Sequence, residues 1–132
     1  MIFLGLALLS TAIPDYSRFS SANKSTIASV IFERCMAASG GVTSNIRDCS
    51  EAEGKRLDAM LNHEYRAAMT RLAPQQRSRL RALERQWIKT RYRGCVESGK
   101  SEEGGTIWLL MMDACGLAEN GNRILWLRTV GR

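Results

Sequence analysis

A chain of 132 residues with 45% hydrophobic and 24% charged side chains can form one domain with a modest core, and is too apolar to be mainly disordered. Its formal net charge of +6 and pI near 9.5 favour an anionic partner without choosing among lipid, nucleic acid and acidic protein.

The opening, MIFLGLALLSTA, is too short an apolar run to span a bilayer. It reads as a secretory signal peptide over residues 1–12, with Ser10 and Ala12 as small residues for cleavage after Ala12. It lacks a basic first segment, so translation is expected to start a few codons upstream of Met1. Residues 13–25 are polar and aperiodic and read as a flexible linker, leaving 26–132 as the domain. Four cysteines, Cys35, Cys49, Cys95 and Cys115, fit an exported protein with two disulfides. None of their spacings is C-x-x-C, so a zinc or thioredoxin-type site has no support.

Thr26 could cap a short helix through Ala38 that places Ile27, Val30, Ile31 and Cys35 near one side, and Gly40-Gly41 would end it. Thr43 is the next candidate cap, opening a long helix whose apolar side carries Leu57, Leu61, Tyr65, Ala68, Met69 and Leu72. Ala73-Pro74 breaks it, because the residue before proline avoids helical angles while proline suits a first helical position. A second long helix then runs from Gln75 to Cys95, with Leu80, Leu83, Trp87 and Cys95 on its apolar side and Arg91 among them. Arg77, Arg81, Arg85, Lys89 and Arg93 recur every four residues on the other side as a basic ridge.

So short a connection predicts an antiparallel hairpin. Its register brings Cys49 within a turn of Cys95, and Asp58 within a turn of Arg91. The preferred pairing is therefore Cys49–Cys95 with Cys35–Cys115; the rival, Cys35–Cys49 with Cys95–Cys115, closes shorter loops and stays open. Residues 96–105 read as a loop, Thr106 as the cap of a strongly apolar third helix, and Asn120-Gly121 as its interruption before a short last turn. The fold class is all-α: a long antiparallel helical hairpin, a buried third helix and a short N-terminal helix, stapled by two disulfides.

Asp58, Asn62 and Tyr65 share one side of the first long helix. With Arg91 opposite, they form either a polar pocket or, as the preferred reading, a buried Asp58–Arg91 bridge. His63-Glu64 does not extend to H-E-x-x-H, since Ala67 stands where the second histidine would be. There is no Gly-rich phosphate loop and no diagnostic nucleophile–base spacing, so the chain reads as a non-enzyme without metal or cofactor. The basic ridge reads first as a solvated helix side, then as a contact for anionic lipid or polymer. Nucleic acid is disfavoured by export and by the lack of interleaved aromatics.

Cys35, Thr43, Cys49, Asp58-x-x-Leu61-Asn62-x-x-Tyr65, Gln86-Trp87-Ile88-x-x-Arg91-x-x-x-Cys95, Gly104-Gly105-Thr106, Cys115, Arg123 and Leu127 occur in an order and spacing that resembles the lysozyme inhibitor LprI-like N-terminal domain. The resemblance implies a small, exported, helical, disulfide-bonded bacterial protein, periplasmic or secreted. Its structural motif would comprise Asp58, Leu61, Asn62, Tyr65, Gln86, Trp87, Arg91, Gly104, Gly105 and Arg123. Two positions depart from the pattern: Tyr92 stands where an Asp is expected and Asn120 where a Thr is expected. The implied function is an exported, non-enzymatic binding protein of lysozyme-inhibitor type, whose partner is a lysozyme or another envelope protein. The alternative is an envelope-associated interaction protein using the ridge on anionic lipid, polymer or an acidic protein. Lysozymes are typically basic, so Glu97, Glu102 and Glu103 in the 96–105 loop are the expected complementary acids.

Overall fold

A computed structural model describes residues 12–22 and 27–132; the expected signal segment before Ala12 and the Thr26 cap lie outside the described residues. The helices are α1 (Tyr16–Ala22), α2 (Val30–Ala38), α3 (Thr43–Arg71), α4 (Pro74–Thr90), α5 (Arg93–Gly99) and α6 (Thr106–Leu127), with a 3-10 turn at Lys100–Glu102. Among the described residues there is no strand, and the all-α reading holds.

The reversal between α3 and α4 forms where the sequence places it. Leu72 and Ala73 are extended, and Pro74 opens α4. Arg77 secures the turn, its Nε donating to the carbonyls of Met69 (3.1 Å) and Leu72 (2.9 Å) at the end of α3. The first residue of the basic ridge is thus half-buried and engaged in capping.

Side-chain pairings fix how the third long helix lies. Arg47 meets Asp113, Gly54 lies against Leu117, Glu64 accepts from Arg128, and Arg71 donates to the carbonyls of Leu127 and Val130. Helices α3 and α6 therefore run side by side in the same direction. Helix α4 runs the other way, since Glu84 meets Arg123, Arg91 meets Asn120, and Tyr92 lies against Gly116. The hairpin is antiparallel, as expected, and α6 engages both limbs.

The core collects one side of each of the three long helices: Leu57, Leu61 and Ala68 from α3 with Leu72 at its C-cap, Leu80 and Trp87 from α4, and Ile124, Trp126 and Leu127 from α6, closed by Val130. Burial of each large apolar side chain contributes about 1.5–3 kcal/mol. Leu83, expected among them, lies at the exposed margin. Just beyond α6, Gly131 (φ 76°) takes a left-handed turn so close to α3 that a Cβ would stand 2.8 Å from that of Arg71.

Several expectations are corrected. The disulfides are Cys35–Cys49 and Cys95–Cys115, not Cys49–Cys95 with Cys35–Cys115. The expected register holds in height: Gly54 touches Leu117 and Tyr92 touches the adjacent Gly116, so Gly54 and Tyr92 are level. It failed in direction, because Cys49 turns outward to α2 while Cys95 turns to α6. Helix α4 stops at Thr90 rather than Cys95. Tyr92 (φ −100°, ψ 1°) leaves helical geometry, and the chain restarts as α5 on a new axis that carries Cys95 to Cys115. The expected 96–105 loop is mostly α5 and the 3-10 turn. Helix α6 passes through Asn120-Gly121 unbroken: both residues are buried, and Asn120 accepts a hydrogen bond from Arg91. The roughly 1 kcal/mol that a helical glycine costs is offset by that packing.

Residues 13–22 are not a free linker. Ile13 is in the core, Tyr16 packs edge-on against Trp126, Trp126 Nε1 donates to the Pro14 carbonyl, and Gly131 N donates to that of Ala12. Helix α2, by contrast, buries no residue, and Val30 and Ile31 are exposed against expectation. It is held through its N-cap. Ser29 Oγ accepts from Phe32 N (3.0 Å) and bonds the buried carboxylate of Glu53, which also accepts from Ser29 N and pairs with Arg56.

Candidate functional site

Two polar clusters stand out, one closed and one open. The closed cluster centres on Arg123, whose Nε and Nη2 reach Glu84 at 3.1 and 2.9 Å. Its guanidinium is caged by aromatic rings, 4.0 Å from Trp126, 4.5 Å from Tyr16 and 5.1 Å from Trp87. Both charged groups are almost wholly buried, so the pair is one unit: each charge is tolerable only while the other is present. Burial, reinforced by the nearby negative charge of Glu119, pushes the Tyr16 hydroxyl up to about 12, so it stays protonated under ordinary conditions.

The expected Asp58–Arg91 bridge does not form. Arg91 instead donates to Asn120 Oδ1 (3.2 Å) and stacks on Tyr92 and Trp87, 4.6 and 5.3 Å from the ring centroids. Asp58 is exposed, as is Asn62, while Tyr65 is half-buried against the core beside buried Leu61. Of the motif residues, Trp87 joins the Arg123 cage, Gln86 is exposed nearby, Gly104 (φ 88°) makes the turn before α6, and Gly105 caps it. Glu84 was missed as a partner. Its signal was present: it is the lone acid of α4 and lies four residues after Leu80 and three before Trp87, both buried.

The open cluster is a groove of about 820 Å³ between α3 and α6, bounded at one end by Tyr92 and Val96. Gly54, Gly116, Leu117, Met112 and Asn120 contribute to its lining. Four acids border it, Asp48, Glu51, Asp58 and Asp113, against a single arginine, Arg47. Arg47 Nε donates to Asp113 (3.0 Å), and that bond holds the guanidinium in its charged form. Glu51 pairs loosely with Lys55 on the same helix, whereas Asp48 and Asp58 enter no ion pair among the described residues. Of these four acids only Asp58 is expected at a polar site; Asp48 and Glu51 read as early-turn acids of the helix opening at Thr43, and Asp113 joins them only through the parallel α3/α6 packing.

The basic ridge is present in four of its five residues: Arg81, Arg85, Lys89 and Arg93 are exposed and outside the ion pairs of the described residues. Glu97, Glu102 and Glu103 are exposed on α5 and the turn after it. Among the described residues no group of three or more His, Cys, Asp and Glu is placed to hold a metal ion, and no helix is long and apolar enough to cross a membrane.

The family model described as lysozyme inhibitor LprI matches residues 35–127. The chain belongs to the LprI family. No curated protein and no solved structure matches it. The LprI span opens at Cys35, takes in both disulfides, the Arg91–Asn120 contact and the caged Arg123, and closes at Leu127. The two positions that depart from the expected pattern, Tyr92 and Asn120, both touch Arg91 and both line the groove.

Proposed function

We propose that this LprI-family chain is an exported, non-enzymatic binding protein that inhibits a lysozyme. The observation that carries the reading is the family match over residues 35–127, a span that includes the whole disulfide-bonded bundle. Two disulfides with no free cysteine suit an oxidising compartment, which supports a periplasmic or secreted location. Adding the purified protein to a basic lysozyme in a cell-wall turnover assay is expected to slow turnover in a dose-dependent, saturable way. Undiminished turnover at high molar excess would overturn the reading.

A second reading rests on the ridge. Arg81, Arg85, Lys89 and Arg93 form an exposed row of charge along α4 and α5 that no acid among the described residues pairs with, which suits an anionic lipid or polymer surface. Sedimentation with anionic vesicles separates the two: ridge binding is expected to fade as ionic strength rises. Binding that persists at high salt would count against it.

A further inference from the structure

The groove and the net charge pull in opposite directions. The chain carries +6, yet the groove between α3 and α6 is bordered by four acids and one arginine, and that arginine is taken up by Asp113. A cationic lysozyme is repelled by such a molecule at long range, so productive docking needs a local surface of the opposite sign. Glu97, Glu102 and Glu103 offer negative charge only on the outer side of α5 and its turn, where contacts stay hydrated and contribute little. The groove can remove a side chain from water. Its volume of about 820 Å³ lies within the range of pockets that enclose whole small molecules.

We infer that the α3/α6 groove is the face that takes the cationic enzyme, seating a lysine- or arginine-bearing loop of the lysozyme. The inference rests on the inhibitor reading above and names the site that performs it. The aliphatic stem of the incoming residue lies on Leu117 and Val96, and its charged head reaches the carboxylate of Asp58; Asp48, ten residues and about 15 Å away along α3, serves a second cationic side chain of the same loop. Asn120 adds a second, independent feature. It is 5% exposed and lines the groove; its Oδ1 accepts from Arg91, and among the described residues its Nδ2 donates to no acceptor. It offers an inner donor to a backbone carbonyl of the same loop. The groove keeps its depth on the α3 and α6 sides because Gly54 and Gly116 carry no side chain to fill it.

The test compares the intact protein with two charge-reversal variants: Asp48→Lys with Asp58→Lys in the groove, and Glu97→Lys with Glu102→Lys and Glu103→Lys on α5 and its turn. All five residues are exposed, so folding is preserved and is checked by thermal unfolding. Binding to a purified basic lysozyme is measured by calorimetry alongside turnover. The groove variant is expected to bind at least about tenfold more weakly, and the α5 variant within about threefold of the parent. Loss confined to the α5 variant, or parent-like binding by both variants, overturns the groove while leaving the inhibitor reading intact. If the unsubstituted protein neither binds nor slows the lysozyme, both fall together.

Discussion

The two ends of the bundle are held by different means. Around the α3/α4 turn, Ala68, Leu72, Leu80, Ile124, Leu127 and Val130 are packed almost without solvent contact. Arg71 and Arg77 close that end by donating to carbonyls at the ends of α6 and α3. At the other end the core gives way to Gly54, Gly116 and the acidic groove, and both disulfides lie there, clipping α2 to α3 and α5 to α6. Covalent links stand where apolar burial runs out. An open, acid-bordered groove persists in so small a domain because cross-links, rather than packing, keep its walls in place.

The largest expected effect sits between the ends, at Glu84–Arg123. Arg123→Ala leaves the Glu84 carboxylate buried without a partner and is expected to cost about 3–5 kcal/mol in urea unfolding. Replacing both, Glu84→Leu with Arg123→Met, removes both desolvated charges and is expected to recover most of that loss. A single substitution costing less than about 1 kcal/mol would mean that water reaches the cage, and the contrast between a dry end and a wet end would fail.

Next come the disulfides, which close loops of 14 and 20 residues. Each is expected to contribute about 3 kcal/mol. Non-reducing peptide mapping should give Cys35–Cys49 and Cys95–Cys115 peptides. On reduction, hydrogen exchange should accelerate first in α2 and α5 and last around Leu72 and Leu80. Uniform acceleration along the chain would show that the two ends are one cooperative unit.

That contrast also marks which features are legible in the sequence. Period and turn chemistry located α3, α4 and the reversal at Ala73-Pro74, because amphipathic spacing and proline act locally. The level of Cys49 with Cys95 also followed from the register. Which way each cysteine turns did not, since that depends on where α6 docks, and no local pattern encodes a helix-to-helix approach. The same gap hid Glu84–Arg123 and the groove acids Asp48 and Asp113, which are far apart in sequence. Ile13 and Tyr16 read as linker because two turns of helix carry too little periodicity, although Trp126 and Arg123, the partners of Tyr16, stand in the sequence.

The smallest effect is on pH dependence, and it sharpens the wet end. Burial pushes the Glu53 carboxyl up, but Arg56 and two hydrogen bonds from Ser29 outweigh it and hold the group below its ordinary value of 4.5. The folded state therefore binds this proton less readily than the unfolded chain. The stability that Glu53 gives to the α2 anchor is present above about pH 4.5 and is lost as pH falls through the folded value. Glu119 acts in the opposite sense: burial raises its carboxyl, so the folded state takes up that proton more readily and gains stability on acidification. Thermal unfolding between about pH 6 and pH 3 should show a decline that Glu53→Gln flattens and Glu119→Gln steepens. If Glu53→Gln lowered stability equally at every pH, the Ser29–Glu53–Arg56 anchor would be acting through shape alone, and α2 would depend on its disulfide rather than on this charge.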